Sequence, residues 1–514
     1  MSVPVPTGSA PAVAAAGGTA AGSYGQILKS TTIVGGAQAI NLLIGLARTK
    51  LVAVLLGPSG VGLIGLYQSA TGLVGTVAGL GIGSSGVRQV AEAAGSGDAA
   101  CIGRTVRVLR RACWLTGLLG TLLTAALAWP LSQWTFGSPD HTWPIAILGL
   151  TLLLGSISSG QMALIQGVRR IGDLARLQVV SAVVGTLLSV GLYAWLGERG
   201  IVPVLLLSAL INLGASWWFA RRVPVPAATV SWPETFREAR GLVGLGMAFM
   251  LSGLLTAGVA LVTRAWILRD FGVEANGFYQ AAWGISGVFA GFILQAMGAD
   301  FYPRLTGVAH DHPQANRLVN EQTEIGILLA LPGLLGTLVF SAWLVPLLYS
   351  AKFNAAAELL PWFVLGLFGR VLSWPLGYIQ LAKGAARWFA GTEALFAALH
   401  LLFTWVGLRW LGLWGVALAF ALLYLCYTVA MLAVGSWLTG FRWSRSVVKL
   451  LAWATAAVGF ALLLAWLASP GIQAGAGGLL VAITGYVCLR QLQHRLGPAH
   501  RISRMLNRLP GFPA

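Results

Sequence analysis

The stretch Gly65–Gly86, GLYQSATGLVGTVAGLGIGSSG, has a second copy 212 residues later, Gly277–Gly298, GFYQAAWGISGVFAGFILQAMG. Nine of the 22 positions are identical, and in both copies a Tyr-Gln pair stands in register with a Gly-xxx-Gly spacing. A period of this length is too long for a solenoid of short repeats. It predicts two homologous halves, each beginning its own helical bundle, a recurrent plan in membrane transporters.

The composition around this repeat predicts an all-α polytopic membrane protein. The 514 residues are 57% hydrophobic and only 9% charged, with a mean hydropathy of +0.79. Soluble domains carry about 25% charged residues. Apolar runs of about 20 residues, each long enough to cross a bilayer as a helix, recur along the whole length. The alternation of apolar and polar residues that a transmembrane β-barrel needs is absent.

The apolar runs predict about fourteen transmembrane helices, as two homologous six-helix bundles around a central cavity plus two C-terminal spans. The predicted spans are 27–47, 60–83, 109–129, 144–165, 177–196, 201–220, 243–267, 277–298, 325–348, 359–381, 388–408, 411–435, 448–468 and 474–490. The corresponding domains are a disordered cytoplasmic tail 1–24, an N-terminal bundle 25–222, a cytoplasmic linker 223–242, a C-terminal bundle 243–437, an extra helix pair 438–492 and a basic cytoplasmic tail 493–514.

The basic residues predict the orientation of these spans. With the N-terminus inside, 25 of the 33 Lys and Arg residues fall in cytoplasmic segments and seven in outer segments. This bias follows the positive-inside rule, and it places both termini in the cytoplasm. Basic loops beside anionic lipid also explain the net charge of +18 without a nucleic-acid partner. Long inside loops at 84–108 and 299–324 follow the second and eighth spans, which are equivalent places in the two halves.

The sequence predicts no metal site and no cofactor. The four cysteines, Cys101, Cys113, Cys426 and Cys488, show neither pairing nor ligand spacing, so we expect no disulfide and no zinc. No Walker A motif is present, so ATP is not expected to drive the protein directly. The outer loops are short, which leaves the intramembrane helices to carry the function.

Basic residues near the end of each half's first span are the main candidates for binding an anionic substrate. Ionisable groups within spans cost roughly 2.5–3.5 kcal/mol each, so those that occur are functional candidates. Arg48 and Lys50 end the first span, and Arg264 and Arg269 lie late in the seventh. Across a cavity they would form a basic vestibule, where the planar guanidinium suits phosphate. The alternative is that these side chains reach outward to lipid headgroups.

Four further ionisable residues belong to the C-terminal half. Arg370, in the middle of the tenth span, either binds substrate or pairs two helices. Glu393 and His400 are seven residues apart, hence on one face of the eleventh span. They either carry a coupling proton or form a buried structural pair. Asp270 follows Arg269 at a helix end, where it takes part in ion coupling or serves as a local ion pair or cap.

The repeated Tyr-Gln pairs are candidates for contacting sugars. Tyr67 and Gln68 in the first half, with Tyr279 and Gln280 in the second, would either hydrogen-bond sugars in a cavity or bridge helices. The Gly-xxx-Gly spacings that follow are typical of close helix packing in membranes. The sequence leaves both roles of the Tyr-Gln pairs open.

Two runs in the first half resemble a known family. KLVAVLLGPSGVGLIGLYQ (Lys50–Gln68) and GLGIGSSGVRQVAEA (Gly79–Ala93) are similar to Wzx-type O-antigen translocases, nearest to the enterobacterial common antigen (lipid III) type. These are flippases of the multidrug/oligosaccharidyl-lipid/polysaccharide (MOP) exporter superfamily. The resemblance implies a V-shaped pair of six-helix bundles, alternating access, an undecaprenyl-pyrophosphate-linked glycan as cargo and cavity-lining cations. Arg48 and Lys50 match positions where such flippases carry basic side chains.

The C-terminal spans depart from that pattern. The common antigen type usually has twelve helices, whereas two extra spans resemble the fourteen-helix lipid II flippases, in which the last pair forms a groove for the lipid tail. We therefore expect an inner-membrane flippase, a transporter and not an enzyme. Its expected partners are the lipid-linked oligosaccharide, membrane lipids and the glycan polymerase or ligase machinery, and a monomer is expected from the family.

Two other functions fit parts of the sequence. A multidrug exporter of the same superfamily shares the predicted fold, but cationic drugs favour acidic cavity residues and the candidate charges here are mainly basic. A membrane glycan polymerase or ligase acts on the same lipid carriers, but such enzymes need a sizeable outer loop with catalytic polar residues. The longest outer segments here, near 130–143 and 349–358, are short and poor in charge.

Overall fold

The computed structural model of the chain describes residues 20–96 and 98–496. These residues form fourteen α-helices joined by short turns, with no strand among them. The helices are α1 (Ala20–Gly79), α2 (Ile82–Gly95), α3 (Ala99–Phe136), α4 (Thr142–Gly167), α5 (Ile171–Leu196), α6 (Ile201–Ala220), α7 (Trp232–Gly307), α8 (His312–Val339), α9 (Ser341–Leu348), α10 (Ala356–Ala382), α11 (Ala386–Leu411), α12 (Trp414–Thr439), α13 (Arg445–Leu467) and α14 (Pro470–Leu496).

Fourteen crossings fit the apolar stretches of these helices. Eleven stretches of the described residues are long and apolar enough to span a membrane. Three of them, Gln38–Gly79, Ile171–Ala220 and Met250–Val288, are 39 to 50 residues long. A straight helix of that length would measure about 60 Å or more, twice the ~30 Å hydrocarbon core. Each stretch is interrupted and holds two crossings, so the predicted all-α architecture of about fourteen spans is confirmed.

The helix α7 reverses direction at Gly272. Its φ of 84° and ψ of 176° lie in a region open only to glycine. Arg264 and Gln280, eight residues before and after this glycine, are joined by a hydrogen bond of 2.7 Å, which a straight helix would separate by about 24 Å. The two arms of α7 are therefore antiparallel. Gly57 of α1 has nearly the same conformation, φ 66° and ψ −171°.

The two hairpin tips, Gly57 and Gly272, bring the halves of the molecule together. A Cβ atom at Gly62 would lie 2.2 Å from the carbonyl oxygen of Val273, and one at Gly277 would lie 2.0 Å from that of Pro58. Gly62 and Gly277 each lie five residues after the tip glycine of their own hairpin. The carbonyl that each one meets belongs to the residue directly after the tip glycine of the other hairpin. The contact is thus reciprocal, as a pseudo-twofold relation between the halves requires. We call this end of the molecule the tip end.

The predicted inside loops are largely helical. Helix α2 occupies 82–95, α3 begins at Ala99 where the Asp98 side chain accepts from the Ala100 N–H at 2.8 Å, and α7 extends to Gly307. The predicted linker 223–242 is helical from Trp232 onward. A capping box starts that helix: Ser231 and Glu234 bond reciprocally, and the hydrogen bonds from Ser231 lower the pKa of Glu234. Such caps satisfy the free N–H groups of a helix start.

The ends of the chain and the ninth span differ in detail from the sequence prediction. Residues 1–19 of the predicted tail and the end of the basic tail, 497–514, lie outside the described residues, and α1 begins at Ala20. The ninth span, predicted as 325–348, breaks at Phe340, whose φ of −97° and ψ of 15° leave the helical region. Its last eight residues form the separate short helix α9, which contains Pro346. A proline inside a helix lacks the N–H donor, and its ring clashes with the carbonyl group four residues earlier.

The C-terminal pair, α13 and α14, packs on the second half. Near the tip end, the Gln473 side chain donates to the carbonyl oxygen of Val339 at 2.9 Å. At the opposite end, Arg495 of α14 forms an ion pair with Glu324 of α8. Buried apolar residues of α13, among them Ala454, join the same core as α8 and α10. Two polar contacts at opposite ends therefore fix the pair to the half formed by α7–α12, which we call the C half; α1–α6 form the N half.

Candidate functional site

The four predicted cations of the first spans lie together at the tip end. Arg48 and Lys50 are nine and seven residues before Gly57, while Arg264 and Arg269 are eight and three residues before Gly272. Arg48 and Arg264 thus differ by a single residue in distance from their tips, about 1.5 Å of depth. One residue also turns a helix by about 100°, so the two guanidinium groups face different surroundings.

Arg264 is the most deeply buried of these cations, with 8% of the residue exposed. Its Nη2 donates to Oε1 of Gln280 at 2.7 Å and its Nη1 donates to the carbonyl oxygen of Ala260 at 3.3 Å. Its Cζ lies 5.3 Å from the ring centroid of Tyr279. Its Nε is buried without a hydrogen-bond partner, and no carboxylate pairs with it among the described residues. A buried cation without a counter-ion is costly, and this one has a donor still to satisfy.

Both halves contribute to the surroundings of Arg264. On the C half, Nδ2 of Asn276 donates to the backbone oxygen of Arg264 at 2.9 Å, and Oδ1 of Asn276 is buried without a partner. On the N half, a Cβ at Gly65 would lie 3.0 Å from Oε1 of Gln280 and 3.5 Å from Nε of Arg264. The cation therefore lies at the boundary between the halves. It is next to Gly65, where any larger residue would crowd the side chains of Gln280 and Arg264.

Lys50 and Arg269 connect the two halves. Nζ of Lys50, on the N half, donates to the carbonyl oxygen of Pro346 in α9 of the C half at 2.6 Å. The guanidinium of Arg269, on the C half, donates to the carbonyl oxygen of Trp134 in α3 of the N half. In each direction a cation from the first span of one half reaches the end of the third span of the other. Both side chains therefore hold the two halves together at the tip end.

Arg48 and Asp270 are less engaged. Arg48 is partly exposed and lies near Tyr193 of α5, with no hydrogen bond of its side chain to the described part of the chain. Asp270 is exposed, and it forms no ion pair within residues 20–96 and 98–496. Arg48 is thus a partly exposed cation on the side of the N half that faces α5.

The repeated Tyr-Gln pairs have different surroundings in the two halves. The Tyr67 hydroxyl bonds to Nδ1 of His141 at 2.7 Å, while Gln68 is exposed. Tyr279 is buried among Trp283 and Phe363. The cause is a difference in length: Tyr67 follows its tip by ten residues and Tyr279 by seven, so the tips are 215 residues apart rather than 212.

The remaining candidates converge inside the C half. Arg370 of α10 lies over the ring of Tyr424, 5.9 Å from its centroid, and Glu393 of α11 is within electrostatic range of Tyr424 and Tyr427. We call these four residues the C-half cluster. Oε2 of Glu393 accepts a hydrogen bond from Oγ of Ser252 at 2.7 Å, which ties the cluster to α7. His400 lies two turns further along α11, with its ring 6.0 Å from that of Phe420.

Several residues at these sites were missed by sequence reasoning. Asn276, Ser252, Tyr424 and Tyr427 are uncharged, and single polar residues in apolar runs are common in this chain. The only available signal was position, since Asn276 comes four residues after Gly272. In the described residues no group of three or more His, Cys, Asp or Glu is placed to hold a metal ion.

The comparisons with known proteins agree with this architecture. A family model described as "Polysaccharide biosynthesis protein" matches residues 51–358, more than half of the chain. Lipid III flippases of Escherichia coli (strain K12) and Shigella flexneri are each 24% identical over 399 residues, which cover 74% of this chain and 92% of theirs.

Two solved structures show a similar fold. The lipid II flippase MurJ in an inward closed conformation matches with a TM-score of 0.67 and 14% identity, covering 90% of this chain and 99% of that one. An inward-facing multidrug resistance MATE family transporter of the MOP superfamily matches with a TM-score of 0.59 and 17% identity, covering 80% and 96%. The chain therefore belongs to the polysaccharide biosynthesis protein family, and its fold is that of MOP-superfamily transporters.

Proposed function

We propose that this protein is a flippase that carries a lipid-linked oligosaccharide across the inner membrane by alternating access. The observation that carries the proposal is the buried guanidinium of Arg264, which has an unsatisfied Nε and pairs with no carboxylate among the described residues. The family membership and the lipid III flippase relatives support the same activity. The protein is accordingly a transporter rather than an enzyme.

The proposed ligand of Arg264 is the pyrophosphate of an undecaprenyl-linked glycan. An anion between the halves would supply the missing counter-charge, and charge-assisted hydrogen bonds to a guanidinium are strong in a site that excludes water. Arg48, one residue away in depth, would provide the second cation. Gln280 accepts from Arg264 and, with the exposed Gln68, would meet the first sugars. The prenyl tail would remain in lipid between the halves.

Lys50 and Arg269 take the complementary role of closing the outer side. With the N-terminus in the cytoplasm, as the basic residues predict, the tip end faces the periplasm. The two cations hold it shut through Pro346 and Trp134. When the halves separate there, both donors lose their carbonyl acceptors and become available to the pyrophosphate. This exchange would coordinate opening with delivery of the cargo to the outer leaflet.

The C-half cluster is the proposed site of ion coupling. Glu393 is the single acid there, and its bond to Ser252 of α7 connects it to the arm that carries Arg264. Protonation of Glu393 would leave Arg370 as the only charge beside Tyr424 and so change the packing of α7, α10 and α11. Asp270 and His400 are the further candidates for coupling. Transport by Glu393→Gln should lose its dependence on an imposed proton gradient, while Glu274→Gln should retain it.

The proposed function is tested by measuring which leaflet holds the lipid-linked glycan. Inverted vesicles from a strain that lacks its own flippase would be labelled with a membrane-impermeant glycan reagent. Wild type should clear the cytoplasmic leaflet, and Arg264→Gln should slow this roughly 10- to 100-fold, since a hydrogen bond to a charged group contributes about 1.5–3 kcal/mol. The matched control is Arg409→Gln, because Arg409 is an exposed arginine at the end of α11.

The outcomes separate the rival functions. Failure of wild type to clear the leaflet, together with a change in drug efflux or in glycan chain length, would refute the flippase assignment in favour of a drug exporter or a glycan polymerase. Equal clearance by wild type and Arg264→Gln would refute the role of Arg264. We further propose that the transporter works as a monomer and delivers its cargo to polymerase or ligase machinery.

A further inference from the structure

A pocket lies in the C-terminal part of the molecule, apart from the boundary between the halves. It has a volume of about 440 Å³ and is formed where α9, α10, α12, α13 and α14 come together. Its lining includes Trp362, Trp414, Trp466, Glu358 and Gln473. Trp414 begins α12, Trp466 is one residue from the end of α13, and Gln473 is in the first turn of α14. The pocket is therefore at helix ends, at the level where lipid headgroups meet the protein.

The three tryptophans of this pocket form a continuous aromatic wall. The rings of Trp362 and Trp414 are stacked with centroids 5.9 Å apart, and Trp466 meets Trp362 edge to face at 5.7 Å. Trp362 is half-buried, whereas 66% of Trp466 is exposed. The wall is thus anchored in the C half and opens towards the bilayer. Indole faces carry negative potential and attract cations, most strongly among the aromatic side chains.

One carboxylate adds to that negative potential. Glu358, in the first turn of α10, is the single charged residue in the lining. It is exposed and forms no ion pair within the described part of the chain. Charge complementarity therefore favours a cationic occupant, and the indole wall favours one with a compact ammonium group.

We propose that this pocket binds the ammonium headgroup of an ethanolamine phospholipid from the adjoining leaflet. The ammonium would donate to the Glu358 carboxylate and rest against the indole wall, while the acyl chains would leave past Trp466 into the bilayer. The volume lies within the range of small-ligand sites, about 300–1,000 Å³. The site is separate from the pyrophosphate site, and it needs neither the cargo nor the proposed transport activity.

The location of the pocket gives the lipid an influence on the tip end. Ser341 and Ala342 of its lining belong to α9, and the same short helix holds Pro346, whose carbonyl accepts from Lys50. A bound headgroup would stabilise α9 in the position where that contact forms. Ethanolamine lipid should therefore favour the closed tip end, through a helix of only eight residues.

The test measures lipid retention by the full-length protein. Native mass spectrometry of the detergent-purified protein would compare dihexanoyl phosphatidylethanolamine with dihexanoyl phosphatidylglycerol, which has the same chains and no amine. Wild type should bind the ethanolamine lipid about tenfold more tightly, a difference within the range of one desolvated cation–π contact plus a carboxylate. Glu358→Gln and Trp466→Leu should each remove this preference. The matched controls are Glu274→Gln and Trp410→Leu, since Glu274 and Trp410 are exposed residues outside the pocket.

Each result decides for or against the site. Equal retention of the two lipids by wild type, or an unchanged preference in Glu358→Gln, would overturn the proposal. So would displacement of the ethanolamine lipid by free glucosamine at an equal concentration, because the pocket would then be an amino-sugar site. Thermal unfolding of the variants without added lipid shows whether they are folded. Loss of preference in a variant that keeps the wild-type melting temperature supports the site, whatever the leaflet assay shows for the cargo.

Discussion

The hairpins α1 and α7 have the same backbone reversal but different interiors. Gly57 and Gly272 share a glycine-only conformation, and Gly62 and Gly277 make the same contact across the boundary. Yet Arg264 of the second hairpin is buried against Gln280, whereas Arg48 of the first is partly exposed. The duplication has therefore conserved the geometry of closing while the chemistry has become concentrated in the C half.

The strongest test of the shared geometry is to add one methyl group at each tip. Gly277→Ala and Gly62→Ala should both lower stability by about 1–3 kcal/mol and impair transport, because the new Cβ would collide with backbone that cannot move independently. Gly277→Ala should have the larger effect, since three backbone atoms of Pro58 lie within 2.8 Å of its Cβ position. Thermal unfolding and the leaflet assay measure both effects.

Gly287→Ala is the control for this comparison. Its added Cβ would have no heavy atom within 4 Å, so its stability should stay near that of wild type. If Gly62→Ala is tolerated while Gly277→Ala is not, only one of the two glycines is in close contact with the other hairpin, and the reciprocal arrangement is refuted.

The cations that cross the boundary provide the next test, which measures closure of the tip end rather than unfolding. Lys50→Met should weaken closure by about 1.5–3 kcal/mol, the range for hydrogen bonds to a charged group, because its contact is partly buried. Arg269→Met should weaken closure by less than about 1 kcal/mol, since Arg269 is exposed and solvent screens its charge. Pulsed electron resonance between spin labels at Val54 and Glu274 would report the tip-end distance, with Arg409→Met as the control.

A longer distance should become populated in Lys50→Met and less so in Arg269→Met. Identical distance distributions in wild type and both variants would show that these bonds do not hold the tip end closed. If the longer distance is populated in Arg269→Met as much as in Lys50→Met, the Arg269 contact is more protected from solvent than the exposure of its side chain indicates.

The smallest expected effect distinguishes the two tyrosines of the repeat. Tyr67→Phe removes the hydrogen bond to His141 and should cost about 1 kcal/mol of unfolding free energy. Tyr279→Phe keeps the ring contacts with Trp283 and Phe363 and removes no hydrogen bond within the described residues, so its melting temperature should hardly change. The reverse order in thermal unfolding would contradict the difference in surroundings.

The sequence was sufficient for elements that depend on local signals. The sixth span, 201–220, coincides with α6, and the last two spans correspond to α13 and α14. The predicted spans placed each tip glycine in a short connection, Gly57 between 27–47 and 60–83 and Gly272 between 243–267 and 277–298. The similar depth of Arg48 and Arg264 was predicted only to within about one helical turn, because the 212-residue offset of the repeat differs by three residues from the spacing of the tips.

Contacts between distant segments were beyond the sequence. Ser252 and Glu393 are 141 residues apart, and Trp134 and Arg269 are 135 apart. In a soluble protein the apolar stripe of a helix shows which face is buried, but a membrane helix is apolar towards lipid as well. The sequence therefore gave no signal for which faces of α7 and α11 meet. It also missed the break at Phe340, because apolar character continues through it.

The attachment of α13 and α14 to α8 makes the two moving bodies unequal. Because Gln473 and Arg495 hold the pair at both ends, the C half would move as eight membrane crossings against six. In a rocking exchange the two bodies exert equal and opposite torques on each other, and each is resisted by the viscosity of the lipid around its perimeter. The smaller N half should therefore swing through the greater angle relative to the bilayer. In a more viscous membrane the rate would depend chiefly on the drag on the smaller N half, so shortening the chain after Gly440 should change the dependence of transport on lipid viscosity only slightly.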